Sequence, residues 1–247
     1  MVLLSILFFV TAILYSSVGF GGGSTYIALL LIWDIPYFIF PVIALTCNIL
    51  VVLGNSFHYI RAGNLNIKLI APYLIGSIPL SYLGGSLIIP KEIFEILLFL
   101  VLGVAGILLL INFKSYDDKD TSYKKTPIFI SIFIGGFLGI ISGVVGIGGG
   151  IFLSPILFLM RAARTKHIVT AASLFILINS LSGVLGQLTK NEVLNEVMNY
   201  WLLLIAVFIG GQIGNFLNLK IFPTRLLALV TASLVIFVSI RMGARFF

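Results

Sequence analysis

The chain has 247 residues, 60% of them hydrophobic and 9% charged, with a formal net charge of +7 and a mean hydropathy of +1.20. Soluble proteins average about 25% charged residues, so a water-soluble globular fold is excluded. The positive charge falls in short connecting loops, where it is a topology signal and a contact for lipid headgroups rather than for nucleic acid.

Apolar runs fall at about 2–33, 37–59, 66–88, 91–112, 127–160, 167–188, 197–219 and 224–245. Met1 to Tyr15 lacks a basic segment and runs straight into a glycine motif, so it reads as part of the fold rather than a cleaved leader. The separators are turn and charge signals: Asp34-Ile35-Pro36, Arg61 to Asn64, Pro90-Lys91-Glu92, Arg161 to Lys166, Asn191 to Glu196 and Pro223-Thr224-Arg225. Residues 113–126, with Asp117, Asp118 and Asp120, read as a polar linker between a first repeat, 1–112, and a second, 127–247, within one membrane domain. Gly146 lies 127 residues after Gly19, Asn179 lies 124 after Asn55, and Pro223 lies 133 after Pro90. Equivalent residues at so long a period mark a duplicated half rather than a solenoid.

Two runs, 2–33 and 127–160, would each be about 50 Å long as straight helices, against a hydrocarbon core of about 30 Å. Both contain a glycine cluster: Gly19-Phe20-Gly21-Gly22-Gly23 in the first and Gly146-Ile147-Gly148-Gly149-Gly150 in the second. Glycine leaves the helical well cheaply, so the clusters predict helix breaks. Broken backbone at membrane depth survives only inside protein or beside a wet cavity. Each long run is then one kinked span, giving parallel repeats, or a re-entrant pair of partial helices, giving inverted repeats. In the second arrangement eleven Lys and Arg residues fall on one side (Arg61, Lys68, Lys114, Lys119, Lys124, Lys125, Arg161, Arg164, Lys166, Lys220 and Arg225) and four on the other (Lys91, Lys190, Arg241 and Arg245). The first arrangement splits them six to nine. The positive-inside rule favours the second. The expected fold is an all-α polytopic membrane protein of two homologous halves, inverted repeats, each with a glycine-broken re-entrant or discontinuous helix plus three transmembrane helices.

Helices should restart near Ser24 and Ile151, with Ser24 and Thr25 suited to capping and Pro155 in a first turn. A helix N-terminus presents unpaired N–H groups and about half a positive charge, so two converging ones bind a small anion without Lys or Arg. The expected substrate contacts are Gly19, Gly21, Gly22, Gly23, Ser24, Thr25, Gly146, Gly148, Gly149 and Gly150, joined by the amides and hydroxyl of Asn48, Asn55, Asn179 and Ser180. Of these, Asn55 and Asn179 carry more weight than Asn48. Gln212, Asn215 and Asn218 share a face and read as glue between helices, worth about 0.6 kcal/mol each. Cys47 reads as a small hydrophobe. No ionisable residue falls at mid-membrane, so no proton relay is expected. No catalytic residue, metal ligand or cofactor is indicated.

The paired glycine motifs, the Asn-Ser pairs Asn55-Ser56 and Asn179-Ser180, and the basic central loop together resemble the sulfite exporter TauE/SafE family over essentially the whole chain. The resemblance implies a multi-pass transporter of the bacterial or archaeal inner membrane, expected to be an exporter, for small sulfur-containing anions such as sulfite or sulfonates. Its expected partners are that anion and membrane lipid, with homo-oligomerisation left open. The competing readings are an anion channel with the same filter and an intramembrane enzyme, for which the histidines lie too far from Ser24 and Ser142.

Overall fold

A computed structural model describes residues 1–17, 19–111, 123–124, 126–190, 196–217, 233, 236–237 and 239–240. Among them every regular element is helical: α1 (Val2–Ser16), α2 (Gly23–Ile32), α3 (Phe40–Arg61, entered through a 3-10 turn at Tyr37–Ile39), α4 (Ile67–Ser86), α5 (Lys91–Ile111), α6 (Ile128–Val145), α7 (Gly150–Leu159), α8 (Thr165–Gln187) and α9 (Trp201–Leu217, after a 3-10 turn at Met198–Tyr200). Most of the linker and of the last apolar run lies outside the described residues, and with them Asn218, Lys114, Lys119, Lys125, Lys220, Arg225, Arg241 and Arg245. Five helical stretches among the described residues are long and apolar enough to cross a membrane: Tyr37–Arg61, Ile67–Ser86, Ile128–Val145, Thr165–Gln187 and Met198–Leu217.

Both overlong runs are broken at their glycines. α2 and α7 have 10 residues each, about 15 Å of helix, half the thickness of the hydrocarbon core. The chain also doubles back at each break. A Cβ built on Gly149 would lie 3.4 Å from the carbonyl of Leu138, well back along α6. In the first half the Tyr15 and Thr25 hydroxyls hydrogen-bond at 2.7 Å across the break, and the rings of Phe8 and Tyr26 pack at 4.8 Å. One feature departs from two matched half-length arms: α6, with 18 residues, is itself long enough to span. It runs past the level at which α7 restarts, so the loop after it has to dip back inward.

The halves hold each other by exchanging helices. α4 of the first half packs along α6 of the second, α9 of the second packs along α1 of the first, and α3 and α8 cross at the centre. Lipid tails give apolar side chains no reason to prefer one another, so close backbone approach through small residues supplies the attraction. On α6 a Cβ at Gly135, Gly139 or Gly143 would strike the carbonyl of Tyr73, Ser77 or Ser81 of α4; at Gly214 of α9 it would strike the Ile13 carbonyl of α1. Hydroxyls close remaining gaps, with Ser16 donating to the Gly211 carbonyl at 2.7 Å and Ser81 to the Asn179 carbonyl at 2.8 Å.

Replacing Gly139 by Leu would wedge α4 from α6. The expected result is a loss of stability of about 1–3 kcal/mol or more, as for overpacked cores, read as a lowered thermal midpoint in detergent. Ile128→Ala, on an exposed face, should leave the midpoint nearly unchanged.

Candidate functional site

The two glycine loops enter the molecule from opposite ends of α3 and meet at its middle. Gly19 abuts the Tyr59 ring near the C-terminal end of α3, whereas Gly146 packs on Pro41 at the N-terminal end, where an added Cβ would lie 2.5 Å from the Pro41 Cα. Between them sits Asn48. A Cβ on Gly21 would overlap Asn48 Oδ1, and one on either Gly23 or Gly148 would lie 2.7 Å from Asn48 Nδ2. The loops also touch directly, since a Gly23 Cβ would come within 2.8 Å of the Ile147 carbonyl. One amide is therefore held by both halves at once.

Local backbone explains why glycine is needed there. Gly22 and Gly149 are the N-caps of α2 and α7, with φ of 87° and 73°, left-handed values costly for any residue with a Cβ. The helices restart at Gly23 and Gly150, one residue before the expected Ser24 and Ile151. Two expectations are corrected. Ser24 and Thr25 do not cap α2, because the left-handed turn makes Gly22 the cap with no side-chain bond. Thr25 bonds Tyr15 instead. Pro155 lies in the second turn of α7, not the first, so it removes one internal hydrogen bond of that helix rather than marking its start.

The polar side chains divide into two groups. Ser56 and Ser173 join α3 to α8 through a 3.0 Å hydroxyl contact, and Asn55 Nδ2 reaches Ser16 Oγ at 3.5 Å. Asn179 spends its Nδ2 on the Phe175 carbonyl at 2.9 Å. These serve packing. Asn48 does not: it is fully buried, and neither atom of its amide has a hydrogen-bond partner. Ser24 Oγ, Ser180 Oγ and Asn179 Oδ1 are likewise buried and unpartnered, and Ser180 Oγ lies 3.3 Å from the Cβ position of Gly148. An unmade buried hydrogen bond costs about 1–3 kcal/mol, so these groups are donors and acceptors ready for a polar ligand or water; the Tyr26, Tyr73, Ser142 and Ser154 hydroxyls share that state. No buried polar side chain among the described residues carries a formal charge.

Sequence reasoning ranked Asn48 below Asn55 and Asn179, and the geometry reverses that order. It also missed Ile176, which fills the gap beside Asn48 at 3.0 Å from the Cβ position of Gly148; an isoleucine in an apolar helix gives no signal. Of the three amides in the seventh apolar run, Asn215 packs against Gly54 of α3, Gln212 is exposed, and Asn218 lies outside the described residues.

A half-open cavity of about 80 Å³ lies behind the second loop, its wall including Pro41, Val144, Gln187 and Lys190. Lys190 Nζ donates to Gln187 Oε1 at 2.9 Å, and Gln187 Nε2 donates to the Gly143 carbonyl at 2.9 Å. Burial lowers the Lys190 pKa below the usual lysine value.

Comparison with known proteins matches this sequence to one family model. The sulfite exporter TauE/SafE family model matches residues 4–242. The chain belongs to the sulfite exporter TauE/SafE family. It is 29% identical over 212 residues to a probable membrane transporter protein of Sinorhizobium fredii, covering 85% of each chain. It is also 29% identical over 254 residues to one of Methanocaldococcus jannaschii, covering 94% of this chain and 91% of the relative. A Bacillus subtilis protein of the same description is 25% identical over 225 residues, covering 88% of this chain and 89% of the relative. No solved structure matches. This TauE/SafE protein is thus a multi-pass membrane protein of a transporter family.

Gly21 separates the site from the fold. Its backbone is not left-handed, yet a Cβ there would displace the Asn48 amide. Gly21→Ala is expected to keep the wild-type helix content and lower transport in proteoliposomes by about tenfold, equivalent to roughly 1.4 kcal/mol; wild-type flux would show that the amide takes no part.

Proposed function

We propose that the protein is a secondary carrier, working as an exporter in the cell's inner membrane, for a small sulfur-containing anion such as sulfite or a sulfonate. The anion is held at mid-membrane by the N-termini of α2 and α7 and by the Asn48 amide, with Ser24 and Ser180 hydroxyls beside it. The observation that carries this reading is Asn48: a fully buried amide, unpaired at both ends, gripped by both glycine loops. Two helix ends supply about half a positive charge each, and discontinuous helices in transporters use their N-termini for anionic groups. Gly22 to Thr25 and Gly149 to Ile151 contribute the backbone N–H groups, while Gly19 and Gly146 turn the chain into position; the Phe152 N–H is taken by the Gly149 carbonyl at 3.1 Å. Asn55 and Asn179 brace the frame.

The repeats are read as inverted in the membrane. Loop entry from opposite ends of α3 supports this. So does the grouping of basic segments: the Lys124 amide donates to the Arg161 carbonyl at 3.0 Å, and His167 Nδ1 meets the Asn64 carbonyl at 2.8 Å. These contacts gather the ends of α3 and α7 and the start of α8 at one pole, which the positive-inside rule makes cytoplasmic. Lys190 sits at the other pole, beside the cavity. Rocking of one half against the other around Asn48 would open the site first to one pole and then to the other. The family description and the relatives' names support transport rather than catalysis.

In proteoliposomes sulfite flux should saturate, and Asn48→Leu should reduce it by about tenfold or more by leaving only the helix ends to bind. Lys124→Gln should change it little. Single-channel currents in place of saturable flux would replace the carrier with a channel.

A further inference from the structure

We infer that the species carried is a protonated oxyanion, a monoanion that keeps one O–H, rather than the fully deprotonated dianion. The inference rests on the carrier reading above and adds the protonation state of its substrate.

Three observations converge. First, the unpaired groups at the site are not all donors. An amide presents one donor and one acceptor whichever way round it is assigned, and both ends of Asn48 are buried without partners between Gly21, Gly23 and Gly148. A bare dianion has only acceptors and would leave the Asn48 carbonyl unpaired and facing negative charge. An oxyanion with an O–H donates to that carbonyl while its other oxygens accept from Nδ2, from the Ser24 and Ser180 hydroxyls and from the helix-end N–H groups.

Second, the fixed field of the site amounts to about one positive charge, half from each of two helix N-termini. That balances a monoanion and leaves a dianion with one charge uncompensated in a medium where even one such charge is expensive. Third, nothing among the described residues takes up the difference. Among the described residues no Lys, Arg or His is buried. The titratable neighbours of the loops are Tyr15 and Tyr26 beside Gly22, Tyr59 beside Gly19, and Cys47 next to Asn48 in the chain. None of these side chains can carry a positive charge.

A substrate that brings its own proton also accounts for a transporter core without a proton-relay carboxylate. The proton crosses bound to the anion and is given to water after release. No bond within the protein forms or breaks.

The test is a binding titration of the wild-type protein in lipid nanodiscs against pH, with three probes: sulfite, whose two protonation states interconvert near neutrality; methanesulfonate, a monoanion without O–H; and sulfate, a dianion throughout. Apparent sulfite affinity, on total concentration, should fall about tenfold per pH unit above the probe's own ionisation, and be constant when referred to the protonated form. Methanesulfonate should bind with no such dependence and more weakly than protonated sulfite, having no O–H to give the Asn48 carbonyl, and sulfate more weakly still. Sulfite affinity that holds steady or rises with pH would overturn the inference. Asn48→Leu distinguishes this from failure of the underlying site: if that variant, folded by its thermal midpoint, binds sulfite as wild type does, the carrier reading itself falls. If it loses binding while the wild-type affinity follows the dianion, only the protonation state is wrong.

Discussion

Everything in this fold follows from the need to keep backbone N–H and C=O groups paired inside hydrocarbon. A continuous helix meets that need with its own hydrogen bonds; a broken one must be shielded by protein. Here two helices are broken, after Ser16 and after Val145, and each break is covered by the other half of the molecule. Gly146 lies against Pro41 of the first half, and Gly21 and Gly148 share Asn48 with Ile176 of the second. Neither half could shelter its own loop alone, which ties the duplication to the site. The exchange of α4 and α9 between halves is the packing that makes this mutual cover possible.

The same constraint turns a structural cost into a binding surface. A left-handed glycine at each N-cap ends one helix direction and starts another, so the leading N–H groups of α2 and α7 have no preceding helical carbonyl to pair with. In water these would be hydrated. Buried together, they favour an anion that no side-chain cation need attract. A buried lysine in their place would have to be desolvated with each opening and closing. Backbone dipoles carry no net charge, so their desolvation cost is smaller and does not change with pH. That suits a carrier, which must release its substrate as readily as it binds it.

The spans, the two breaks and their restart positions were legible in the sequence because they rest on local physics: run length against bilayer thickness, and glycine against helix. Seven of the eight runs were bounded to within two residues of the described helical stretches they contain, 3-10 entry turns included, and the eighth, 224–245, lies mostly outside the described residues. The ranking of the amides was not legible. Asn55 and Asn179 drew attention because each has a counterpart in the other half, but symmetry marked the frame. Asn48 aligns with Ala172 at the same spacing, so nothing in the repeat pointed to it. Its role depends on which face of α3 the second half covers, a tertiary fact that no periodicity contains. The capping role expected of Ser24 and Thr25 failed for a similar reason: a left-handed glycine already ends the turn, and Thr25 finds Tyr15 across the break.

That single departure from symmetry has a mechanistic consequence. Two equivalent loops around an empty centre would grip an anion equally from both sides, and nothing would couple occupancy to which half moves. One amide, rooted in α3 of the first half but lodged against Gly148 of the second, makes the contact unequal. In the proposed carrier, separation of the halves would part Asn48 from one loop and leave it with the other, because α3 is unbroken between Pro41 and Tyr59. An anion bridging amide and loop would hold the halves together until one side of the bridge breaks. Alternating exposure then needs no moving charge in the protein, only two packings of the same helices that differ in which loop keeps the amide.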